Sequence, residues 1–210
     1  MCLLEVFEES KEDIHLYIPL KPNVSDIVHA DEGEDKVWQV YRDVIYAVTQ
    51  SKFRLIRQNE VDLYKQGKLL CEASIKERSD IPKARDLAKQ QLLDCGVSQK
   101  AIMGQLLVIS EAITNILKHA EEGKMTIVQG ETENINVLVQ DKGPGFPLKL
   151  LPNTVLMAGY STKQSLGQGF TLMMKMADQV LLMTIPGEGS TIILVFKCKK
   201  EEPNDKKSPI

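Results

Sequence analysis

A chain of 210 residues, 43% apolar and 26% charged with a net charge of −3, has room for one well-buried domain plus an extension, or for two small domains. The slight acidity argues against a dedicated nucleic-acid binder. No apolar run approaches the roughly 18 residues of a membrane span, and no charged lead, apolar stretch and cleavage site open the chain, so a cytoplasmic protein is expected, with no direct nucleic-acid or membrane partner. Cys2, Cys71, Cys95 and Cys198 are far apart, with no CxxC pair and no His at zinc spacing, and read as reduced thiols.

The first stretch reads as two extended pieces, Leu3 to Phe7 and Ile14 to Leu20, followed by an irregular link from Pro22 to Gly33. Val37, Val40, Tyr41, Val44 and Val48 recur at helical spacing behind Asp35 as a cap, and residues 52 to 57 alternate as a short strand. A polar segment, Gln58 to Lys68, closes this N-terminal extension of residues 1–68. From Leu70 the pattern sharpens. A strand to Lys76 leads to a helix capped by Ser79 or Asp80 and stopped at Gly96; Ser98 then opens a helix to Ala120, striped by Ile102, Leu106, Ile109, Ile113 and Ile116. Strands follow at Lys124 to Gln129 and Asn134 to Gln140. Helices are expected at Leu148 to Met157 and Phe170 to Ala177, separated by a glycine-rich loop. A hairpin then joins Gln179 to Ile185 with Ser190 to Lys197 through Pro186, Gly187, Glu188 and Gly189. The charged tail 199–210, with two prolines, is expected to be disordered.

Strands joined by short turns pair antiparallel, so residues 69–198 are expected to form an α/β (α+β) two-layer sandwich: a mostly antiparallel sheet with helices on one face. Three segments carry candidate chemistry. Glu111 and Asn115 lie four apart on one helix face with Gly104, Leu107, Val108 and Ala112 around them, so the helix is apolar nearly all round and the pair is expected to be largely covered. A covered carboxylate and amide cost free energy unless a ligand or metal engages them. Asp141 ends a strand and begins Asp-Lys-Gly-Pro-Gly, where Gly143 and Gly145 permit close approach to a flat ligand and the carboxylate can accept from an adenine amine. Gly159 to Gly169 precedes a helix; freed backbone amides there, with Ser161, Thr162 and Lys163, suit a polyphosphate. Each segment alone could be a turn, a loop or an exposed helix edge. Neither GxxxxGK[ST] nor a Rossmann GxGxxG accounts for these glycines.

Glu-x-x-x-Asn on a helix, Asp-x-Gly-x-Gly after a strand and Gly-x-Gly opening a helix, in that order, resemble the N, G1 and G2 boxes of the GHKL ATPases, whose ATP-binding fold is the Bergerat fold. The likeness covers about residues 70 to 198, through Ser110–Ile116, His119–Ala120, Asp141–Pro147 and Gly159–Gly169. Within the superfamily the chain resembles the anti-sigma regulatory serine kinases, particularly the switch-kinase type. His15 in a strand-like stretch and His29 in an expected loop do not suit a phosphoacceptor histidine.

The resemblance implies ATP and Mg2+ as cofactors. Asn115 would coordinate the metal, Glu111 would act as base toward a serine hydroxyl, and Asp141 would select adenine. Gly143 and Gly145 would shape the base pocket, while Gly167 and Gly169 would hinge a lid. Lys163 could offset charge on the terminal phosphate. Lys163, Gln164 and Ser165 stand where such kinases often carry smaller residues, which points to a stiffer lid. The implied function is phosphorylation of a STAS-domain anti-sigma antagonist. The alternative is an ATP-responsive switch that sequesters a sigma factor or activates a phosphatase. A homodimer is also implied. The extension either adds a sheet edge or regulates partner access.

Overall fold

A computed structural model describes residues 24–130, 134–157 and 169–197, with side chains in the first helix from residue 35 onward. The chain divides into two compact units, Met1–Val40 and Tyr41–Ile210. The described part of the first unit is helical and belongs to α1, Val24–Val48. This corrects the irregular link expected from Pro22 to Gly33, and it places His29 in a helix rather than a loop. Val24, Ile27 and Val28 extend the helical spacing of the sequence upstream. Gly33 costs roughly 1 kcal/mol relative to alanine, which a helix of this length tolerates. Asp35 is consequently no N-cap, and its carboxylate accepts from Gln39 Nε2 at 2.9 Å. The expected strands Leu3 to Phe7 and Ile14 to Leu20 lie outside the described residues.

The second unit is built on a six-stranded sheet. Its strands are β1 (Phe53–Leu55), β2 (Lys68–Ile75), β3 (Gly123–Gln129), β4 (Asn134–Asp141), β5 (Gln179–Ile185) and β6 (Gly189–Lys197), in the order β1-β5-β6-β4-β3-β2. Every pairing is antiparallel except β1 with β5. Its helices are the end of α1, α2 (Gln58–Tyr64), α3 (Asp80–Asp94), α4 (Gln99–His119), α5 (Leu151–Leu156, entered through a 3-10 turn at Leu148–Leu150) and α6 (Gly169–Met176). From residue 70 onward this is the expected order of elements and the expected two-layer sandwich.

Strand alternation sorts the sheet into two faces. Phe53, Val180, Leu182, Leu194, Val137 and Ile127 share one face by register and are fully buried. The helices α4 and α6 cover them. Phe170 of α6 meets Phe53 edge-on, with ring centroids 5.4 Å apart, and α4 buries Ile102, Leu106, Ile109, Ile113 and Ile116, the stripe read from the sequence. Each such side chain contributes roughly 1.5–3 kcal/mol on leaving water. Ser98 starts α4 by accepting from the Ala101 amide at 3.4 Å. The 21 apolar-rich residues of α4 are long enough to cross a membrane, but α3, α6 and the sheet pack against them.

Residues 53–64 supply a sheet edge. Ile56, Val61 and Tyr64 pack with Val128, Leu138, Leu181, Met183, Ile193 and Val195, all on the opposite face of the sheet. The stretch read as a polar segment therefore contains a helix, α2, capped by Glu60, whose carboxylate accepts from the Arg57 amide at 2.9 Å. Lys52 ties this edge to the rest by donating to the Ala177 carbonyl at 3.2 Å, at the end of α6.

Candidate functional site

Helix α4 sets Glu111 and Asn115 one turn apart, and α6 begins beside them. A Cβ built on Gly169 would lie 3.2 Å from Glu111 Oε1 and 3.7 Å from Asn115 Nδ2, so the α6 N-terminus sits directly against the pair, and a side chain there would crowd the tip of Glu111. That terminus is the positive end of the helix dipole, and its first-turn amides have no acceptor within the helix itself. From there α6 runs back along α4, since a Cβ on Gly104 would meet Met176 Sδ at 3.0 Å. Glu111 and Asn115 are half-buried rather than largely covered, because Leu107 and Met103, one and two turns upstream, stand open.

Lys118 completes this end of the site. Its ammonium lies 3.6 Å from Glu111 Oε1 and 3.4 Å from Asn115 Oδ1. The Glu-x-x-x-Asn motif does not include Lys118, although it lies three residues after Asn115 and seven after Glu111, spacings that share a helix face.

Asp141 closes β4, directly opposite Ser190 of β6. Ser190 Oγ donates to Asp141 Oδ2 at 2.5 Å and the Gly143 amide donates to Oδ1 at 2.8 Å. The carboxylate is thereby oriented and still has lone pairs to accept from a ligand. Ser190 was also missed, because the partner of a strand end depends on strand order. The loop after Asp141 is clamped from both sides. On Gly143 a Cβ would stand 2.7 Å from the His119 carbonyl and 3.1 Å from Ala120, so the loop lies hard against the end of α4. Gly145 has φ +66°, and a Cβ there would stand 2.6 Å from the Ile185 carbonyl. The Phe146 amide donates to Thr184 Oγ1 at 2.7 Å, and its ring meets Phe170 at 5.8 Å.

Glu111 and Asn115 thus occupy one end of a continuous assembly, and Asp141, Gly143 and Gly145 the other, joined through His119 at the end of α4 and Ala120 just after it. A hollow of about 70 Å³ lies at the second end, lined by His119, Gly145, Phe146, Leu150, Thr154 and Ser190. Gly169 stands beside the first end. Ser161, Thr162, Lys163 and Gly167 lie outside the described residues. A larger groove of about 480 Å³ opens across the opposite sheet face by Ser74, Lys124, Gln140 and Thr191. Asp141 and Ser190 reach its lining but Glu111 and Asn115 do not, and its lysines are paired with acids, as in Lys124 to Glu72 at 2.6 Å and Lys142 to Glu122 at 3.1 Å. Among the described residues no three His, Cys, Asp or Glu side chains gather as a metal site. The donors present, one amide oxygen and one carboxylate, suit a magnesium ion held mainly by phosphates rather than a protein cage.

The chain is 31% identical over 96 residues to an anti-sigma F factor of Pasteuria penetrans, a match covering 43% of this chain and 64% of that protein. It is 28% identical over 116 residues to the serine/threonine-protein kinase RsbT of Bacillus subtilis, covering 54% and 85% respectively. Among solved structures, the SiaB–SiaC complex of Pseudomonas aeruginosa aligns with a TM-score of 0.49 at 13% identity, over 66% of this chain and 95% of that one. Residues 76–196, more than half of the chain and all of the assembly just described, match the histidine kinase-like ATPase domain, and the chain belongs to that family.

Proposed function

We propose that this protein binds ATP with magnesium and transfers the terminal phosphoryl group to a serine or threonine of a STAS-domain anti-sigma antagonist in the cytoplasm. The observation that carries this reading is the placement of Glu111 and Asn115 against the N-terminus of α6 while Asp141 is oriented at the far end of the same assembly. Asp141 accepts from the adenine amine, and Gly143 and Gly145 leave room for the base. The 70 Å³ hollow is small beside the roughly 300 Å³ of an ordinary ligand pocket, so the base widens it and the phosphates extend toward Asn115. Magnesium, held by Asn115 and the phosphates, supplies charge neutralisation. The α6 amides at Gly169, with Ser161, Thr162 and Lys163, receive phosphate oxygens, and Gly167 and Gly169 hinge a lid over the phosphates. Glu111 accepts the proton of the incoming hydroxyl, and Lys118, released from Asn115, offers its charge to the phosphate.

Incubation of the full chain with labelled ATP, magnesium and candidate STAS proteins tests the reading. Transfer is expected, and Glu111→Ala should lower it by at least about a hundredfold, the usual worth of a general base. Undiminished transfer removes Glu111 from that role.

One contact favours a second reading. Lys118 lies within ion-pair distance of Glu111, so the carboxylate is engaged by a cation rather than left open to an incoming hydroxyl. On that reading the protein is an ATP-gated switch that holds a sigma factor or activates a phosphatase. Stable ATP-dependent capture of such a partner without phosphorylated product distinguishes it.

A further inference from the structure

The line of α4 that carries Asn115 and Glu111 continues upstream at the same step of four to Leu107 and Met103, each step about 6 Å along the axis. Leu107 is 50% exposed and Met103 66%. Met176, 43% exposed, joins them from α6, its sulfur lying across α4 at Gly104. The result is an open apolar strip that ends at Glu111. On the two helices that carry the strip the exposed charges are basic: Lys100 and Lys175 are exposed, α6 contains no acid, and the one acid of α4 is Glu111 itself.

A hydroxyl that gives its proton to Glu111 must come within about 3 Å of the carboxylate, so the body of the molecule carrying it must cover neighbouring surface. Downstream on α4, Asn115 and Lys118 face the nucleotide on the reading above, and α6 occupies one flank. The upstream direction is open at Leu107 and Met103, and that is where the strip lies. Methionine side chains, unbranched and polarizable, adapt to a partner surface.

We propose that Met103, Leu107 and Met176 form the docking surface for the phosphoryl-acceptor protein, and that this acceptor presents its serine or threonine beside an apolar patch with an acidic rim. The proposal rests on the phosphotransfer reading.

The test uses the full chain, labelled ATP with magnesium, and the purified STAS-domain proteins of the source genome as acceptors. Leu107→Asp should raise the KM for the acceptor at least about tenfold, the effect of removing a central interface contact. ATP affinity by calorimetry should stay within about twofold, since Leu107 touches no proposed nucleotide group. Lys100→Glu combined with Lys175→Glu, changes of exposed side chains that leave packing alone, should raise the same KM and flatten its dependence on salt. Unchanged acceptor KM in both variants overturns the proposal. So does conversion of a dimer to a monomer by Leu107→Asp with KM unaltered, which assigns the strip to a second copy of the chain. If the wild-type protein phosphorylates none of the acceptors, the phosphotransfer reading fails and this proposal falls with it; transfer that ignores both variants defeats the docking surface alone.

Discussion

Asp141 is held by one hydroxyl and one amide, and the two donors differ in what their removal does. The Gly143 amide belongs to the loop itself, whereas Ser190 Oγ can be deleted without disturbing β6. Ser190→Ala should therefore weaken ATP binding by about two- to tenfold, the worth of one hydrogen bond, with little change in melting temperature. Equal affinity in a titration of the two proteins would show that the carboxylate needs no such orientation. Cys71 presents a different case. Burial raises its thiol to about 11, with the Glu72 carboxylate adding to the effect, against a usual value near 9. The raised value means that the native state holds the proton more tightly than the unfolded chain. The stabilisation from this group is fully present below about pH 9 and is lost as pH climbs toward 11. Urea midpoints should accordingly fall more steeply across that window in the wild type than in Cys71→Ala; parallel curves would place Cys71 in an ordinary aqueous setting.

Among the elements, the loop from Asp141 to Pro147 works because neighbours on two sides fix it. Gly145 holds a left-handed conformation with the Ile185 carbonyl where a side chain would start. Gly145→Ala should cost about 2 kcal/mol of stability, from the backbone conformation and the displaced hairpin, and should weaken ATP binding as the platform shifts. Chemical denaturation alongside ATP titration checks both effects, and a variant matching the wild type in each would contradict the clamp. This loop, α4 and the final hairpin were legible in the sequence for local reasons: Ser98 caps, Ile102 to Ile116 repeat at helical spacing, and Pro186 to Gly189 are turn residues. What escaped depended on distance. Ser190 meets Asp141 only because β6 lies next to β4, and α2 looked polar because Val61 supplies its one buried side chain and needs the opposite sheet face to cover it. The sequence also led us to expect Leu107 to be covered along with Val108 and Ala112. Helical spacing says which residues share a face, but not which neighbours cover it, and Leu107 stands in the open.

At the scale of the whole molecule, the sheet has an apolar core on both faces, and residues 53–64 belong to each. Phe53 is fully buried on the helix-covered face, while Ile56 and Val61 cover Leu181, Ile193 and Val195 on the other. A chain cut at residue 68 should lose several kcal/mol of stability, since deleting a side chain like Phe53 alone costs about 3–5 kcal/mol. It should also bind a hydrophobic dye at the uncovered face. An unchanged denaturation midpoint would show that the extension is an accessory rather than part of this core.

The nucleotide site itself is the central claim, and it is tested most directly by calorimetric titration of the full chain with ATP and magnesium, run on the wild type and on Asp141→Ala. Saturable binding of one ATP per chain is expected in the wild type. The variant should bind about ten- to a hundredfold more weakly, the worth of a hydrogen bond to a charged group. Equal affinity in the two proteins, or no heat in the wild type at saturating nucleotide, contradicts the account.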